Sequence, residues 1–89
     1  MPSIPEQVAL RDRLQAVEDE LVRGGICHAV AETPRGAFEW AAFGRAESEF
    51  VGVEVPALRE IEREIIRQGW DDIMVATEKG CFSWTPKSR

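Results

Sequence analysis

Tyrosine is missing from this chain, histidine occurs once and cysteine twice, and each shortage closes off a class of chemistry. A single bridge is too sparse to be the disulfide framework that secreted domains of this size rely on, so Cys27 and Cys81 are expected to be reduced thiols. Two cysteines and His28 cannot furnish a four-ligand zinc site without carboxylates at unhelpful spacing. No metal or cofactor is therefore expected. No apolar run approaches the roughly 18 residues of a membrane helix, and no basic start leads into an apolar stretch; the expectation is a cytoplasmic protein with no membrane partner. Arg23-Gly24-Gly25 does not make a phosphate cradle. Positive charge is also short: 11 basic residues face 16 acidic ones, for a formal charge of −5. A nucleic-acid backbone would meet net repulsion, so direct nucleic-acid binding is not expected.

What is present suits one small domain spanning 1–89, 44% hydrophobic and 30% charged. Ser3, Ile4, Pro5 and Glu6 match a capping box. Leu10, Leu14, Val17 and Leu21 then form an apolar helical stripe, with Arg11, Asp12, Arg13, Glu18 and Asp19 expected on the wet side. Gly24 and Gly25 end the helix. From Ile26 the period becomes two, with Ile26, His28 and Val30 facing one way and Cys27, Ala29 and Ala31 the other. A turn at Thr33 to Gly36 leads into a strand carrying Phe38, Trp40 and Ala42. Gly44 and Arg45 turn the chain toward a third strand at Glu49 to Val55, which Gly52 weakens. Pro56 opens a second helix with a stripe of Leu58, Ile61 and Ile65, closed by Gly69, with Trp70 as a clasp toward Ile65. Ile73, Val75 and Thr77 make a fourth strand, Cys81 to Trp84 a fifth, and Pro86 to Arg89 a polar tail.

The segment from Val30 to Trp40 echoes that from Val75 to Trp84 if one turn residue is deleted, and each copy follows a glycine-closed helix, which implies an αββ duplication. The predicted fold is α+β in the order αβββαββ, with two amphipathic helices on one face of an antiparallel sheet of four or five strands. Phe38, Trp40, Phe82 and Trp84, with Val30 and Val75, should lie under the helices. The opposite face would carry Cys27, Ala29, Ala31, Ala37, Ala41, Met74, Ala76, Cys81 and Ser83. Such a face is small and poor in polar groups, suited to close packing against another chain unless a helix or the tail folds around to it.

Catalysis is not expected. Cys27 and His28 are strand neighbours and should point to opposite faces, and the same parity puts His28 on the wrong face for Cys81. Asp71 with Asp72, and Glu47 with Glu49, read as solvated charges. The net negative charge lies between Met1 and Val55, and an acidic edge at Glu32, Glu39, Glu47, Glu49 and Glu54 would complement a basic surface on a larger protein. The functional expectation is a non-enzymatic binding module. Its size and charge are those of inhibitors of the anti-defence, immunity or antitoxin kind. The alternative is a homodimeric structural or regulatory domain, and a small cysteine- or carboxylate-dependent enzyme is the remaining reading.

Overall fold

The computed structural model describes residues 4–44 and 49–87. Along the chain come α1 (Ile4–Arg23), β1 (His28–Glu32), β2 (Gly36–Ala42), β3 (Val51–Gly52), α2 (Pro56–Arg67), β4 (Ile73–Ala76) and β5 (Gly80–Pro86). This is the expected α+β order. The Ser3 cap and Glu47 lie outside the described residues.

Both helical stripes are buried where the 3.6-residue period puts them: Leu10, Leu14, Val17 and Leu21 on α1, and Leu58, Ile61 and Ile65 on α2. They pack on one face of the sheet against Phe38, Trp40, Phe82 and Trp84. Each of these large side chains contributes about 1.5–3 kcal/mol by leaving water. Helix α1 is closed by Gly25 rather than Gly24: Gly25 has φ +76°, Gly69 has φ +77° after α2, and both take the left-handed cap. The next amide then turns back to the last turn, Ile26 to the Leu21 carbonyl at 3.0 Å and Trp70 to that of Ile65 at 3.1 Å. Trp70 packs on the core as the clasp the sequence implies.

The five strands are ordered β3-β1-β2-β5-β4. The sheet is mixed, because β3 pairs parallel to β1 while every other neighbour is antiparallel. The chain leaving β2 passes β1 before pairing, so it meets the far edge running the same way as β1. Only two residues of the expected Glu49–Val55 strand are paired, with Gly52 the second.

The αββ duplication is present, and its register is simpler than the sequence echo implied. No deletion is needed. A constant shift of 44 positions carries Leu14 to Leu58, Glu18 to Glu62, Gly25 to Gly69, Thr33 to Thr77, Gly36 to Gly80, Phe38 to Phe82 and Trp40 to Trp84. At the centre of the sheet Phe38 pairs with Trp84, Glu39 with Ser83 and Trp40 with Phe82. That register is a pseudo-twofold relation centred on Glu39 and Ser83, each repeat completing the other's sheet.

Candidate functional site

Two carboxylates tie the repeats together beneath the helices. Glu18, expected on the wet side of α1, is fully buried. It accepts hydrogen bonds from Trp40 Nε1 at 2.8 Å, from the Thr77 hydroxyl, from the Lys79 amide at 2.8 Å and from Gln15 Nε2 at 2.9 Å. Burial pushes the Glu18 carboxyl up. The bonds from Thr77, Trp40, the Lys79 amide and Gln15 outweigh that push and hold it below its ordinary value. Glu62 repeats the arrangement, accepting from Trp84 Nε1 at 2.8 Å, from the Thr33 hydroxyl and from the Arg35 amide at 3.0 Å. Each glutamate therefore holds the tryptophan of its own repeat and the hairpin turn of the other. All four carboxylate oxygens accept from groups of the fold, which makes the pair a structural clamp.

Among the described residues, no helix covers the other side of the sheet. Strand register assigns it Phe50 and Gly52 at the β3 edge, His28, Val30 and Glu32 on β1, and Ala37, Glu39 and Ala41 on β2. Cys81, Ser83 and Thr85 on β5 and Met74 and Ala76 on β4 complete it. Of the predicted face, Ala37, Ala41, Met74, Ala76, Cys81 and Ser83 are therefore here, whereas Ala29 and Ala31 are not. Those two alanines are only 3% and 4% exposed in the protein's own core, paired across the ladder with Trp40 and Phe38. Bulky indole and phenyl rings on β2 leave room only for small neighbours under the helices, which reverses the expected parity of β1. Val30 accordingly moves to the open face. Cys27, ahead of β1, lines a pocket with Val22, Trp40 and Ala42 on the helix side.

His28 is buried on the open face, where the Phe50 ring covers it with centroids 5.1 Å apart. The reversed parity also puts His28 and Cys81 on one face, contrary to expectation. They stand in one row through Ala41, separated by two strand spacings, about 9–10 Å, well beyond hydrogen-bond reach. Among the described residues no group of three or more His, Cys, Asp or Glu side chains is arranged to hold a metal ion. No helix there is long and apolar enough to cross a membrane.

Of the predicted acidic edge, the open face gathers Glu32 and Glu39, both exposed. Glu49 is exposed just before β3. Glu54 reaches toward the helix layer, 3.7 Å from Arg59. What the sequence reading missed is where the cations go. Among the described residues, every lysine and arginine lies on α1 or α2, in a hairpin turn, or beyond β5. The open face therefore combines two carboxylates with apolar or small side chains that include Met74 at 76% exposure and Phe50 at 47%, and Lys87, just past β5, is the described cation that follows Thr85 in the strand alternation. No family model, curated protein or solved structure matches the chain.

Proposed function

We propose that this protein is a binding module that lays its open sheet face on a basic surface of a larger protein, inhibiting it by occlusion and catalysing nothing itself. The observation that carries the reading is the segregation of charge across the sheet: Glu32 and Glu39 stand among exposed apolar groups, while the described arginines lie on the helices or in a hairpin turn. Apolar contact around Met74, Ala76 and Phe50 would supply the area, and the two carboxylates the orientation and the approach rate. Pairing of the face with its own copy is the weaker reading. A twofold contact would set Glu32 and Glu39 against the same acidic face, like charge toward like.

The test is affinity capture by the immobilised wild-type protein, followed by reconstitution with the purified captured protein. Glu32→Lys/Glu39→Lys and Met74→Asp are compared with it at low and high salt. The proposal expects capture that salt weakens, that both variants lose, and that blocks the partner's activity in proportion to occupancy. Capture that is indifferent to these changes, or a captured partner that stays fully active, overturns it.

A further inference from the structure

A second feature, on the opposite side of the molecule and independent of the sheet face, distinguishes the two repeats. Each repeat forms a groove between its helix and the hairpin turn clamped by its buried glutamate. The α1 groove, about 470 Å³, is lined by Ala16, Asp19, Glu20, Val22, Arg23 and Lys79. The α2 groove, about 440 Å³, has Arg35, Arg59, Arg63 and Arg67 around Pro34 and Ile66, with Glu62 beneath. The 44-residue shift aligns Arg59 with Gln15, Arg63 with Asp19, Arg67 with Arg23 and Arg35 with Lys79. The fold therefore makes both grooves, but only the second is filled with guanidinium groups. The Glu62 oxygens are engaged by Thr33, Trp84 and the Arg35 amide and turn toward the core.

We infer that the α2 groove is a binding site for an extended, glutamate-rich peptide segment of a partner protein. Arg59, Arg63 and Arg67 succeed one another at one helical turn, about 6 Å apart. An extended chain with glutamate at alternate positions presents carboxylates at nearly the same interval, about 6.6 Å. Guanidinium forks take carboxylates in two-point contact, and glutamate methylenes can rest on Ile66 and Pro34. The resident partners are exchangeable. Glu54 is 3.7 Å from Arg59, Glu60 is 3.5 Å from Arg63 and Glu64 is 2.5 Å from Arg67, all three arginines being more than half exposed, and such surface pairs are weak. A single-stranded nucleic acid offers comparable charge, but its bases require aromatic platforms, and none is among the residues lining this groove.

The experiment is fluorescence anisotropy with a labelled peptide alternating glutamate and serine, a lysine–serine peptide and an oligothymidylate, on wild-type protein and on Arg59→Gln/Arg63→Gln/Arg67→Gln, with circular dichroism showing that the variant is folded. Saturable binding of the glutamate peptide is expected, weakened at least about tenfold in the variant and by added salt. Arg23→Gln/Lys79→Gln, in the α1 groove, should bind as wild type does. Absence of saturation, equal binding by the triple variant, or preference for the oligothymidylate overturns the inference.

Discussion

Trp84 lies so close over Gly36 that a Cβ on the glycine would stand 2.7 Å from the indole Nε1 and 2.4 Å from the Thr85 carbonyl oxygen. The partner repeat reproduces this, with Gly80 facing Trp40 Nε1 at 2.7 Å and the Ala41 carbonyl at 2.4 Å. A carbonyl in the ladder cannot move aside as a flexible side chain can. Gly36→Ala and Gly80→Ala should each lower stability by about 1–3 kcal/mol, the range for overpacking a filled site. Urea titration checks this, and the pseudo-twofold relation requires the two losses to be alike.

The clamp glutamates predict a second matched pair. Glu18→Gln keeps the shape but replaces one acceptor oxygen with a donor amide, which must face either Trp40 and Thr77 or the Lys79 amide and Gln15. Glu62→Gln meets the same conflict with Trp84, Thr33 and Arg35. Each should cost about 1–3 kcal/mol, the penalty for a buried polar group left unsatisfied. The shift in urea midpoint at an unchanged slope measures it.

Acid should weaken the protein through Glu18. Its carboxyl titrates lower in the folded chain, where Thr77, Trp40 and the Lys79 amide overcome the opposing effect of burial. The unfolded state therefore binds the proton more readily. The contribution is present in full above the unfolded value, about 4.3, and is lost as pH falls through the lower folded value. Thermal melts of wild type at successive pH values should show this fall, and Glu18→Gln should show a flatter one.

Two alanines separate the faces. Ala29→Arg would drive a guanidinium into the core beside Trp40 and should unfold the chain, because Ala29 is buried and paired with that residue. Ala76→Arg lies on the exposed β4 edge of the open face and should melt within about 0.5 kcal/mol of wild type. Circular dichroism of the two variants distinguishes them.

The periodic signals were the legible ones. Leucine and isoleucine at helical spacing gave both helices, and alternation with turn residues placed β1, β2, β4 and β5. Parity on β1 could not be read by hydrophobicity, since Ala29 and Ala31 are less apolar than Val30 yet are the inward residues. Their size is dictated by Trp40 and Phe38 across the ladder, a tertiary fact. Glu18 looked solvated for the same reason, its partners coming from a hairpin far along the chain. One signal could have exposed it: at the 44-residue shift glutamate, threonine, glycine and tryptophan recur together, and charged residues on an open surface have no cause to recur with them. The arginine row was also visible, as Arg59, Arg63 and Arg67 at four-residue spacing, but its meaning needed the α1 groove for contrast.

The reciprocal clamp also bears on how the chain acquires its structure during synthesis. Glu18 takes its bond from Thr77 across 59 residues of sequence. An emerging amino-terminal half can wind α1 and close its first hairpin, but it leaves a carboxylate under the helix short of donors until the second hairpin arrives. Contacts of that separation slow folding. Completion of the native core is thus deferred until the second hairpin has left the ribosome, and a product truncated before β4 would lack half of each lock.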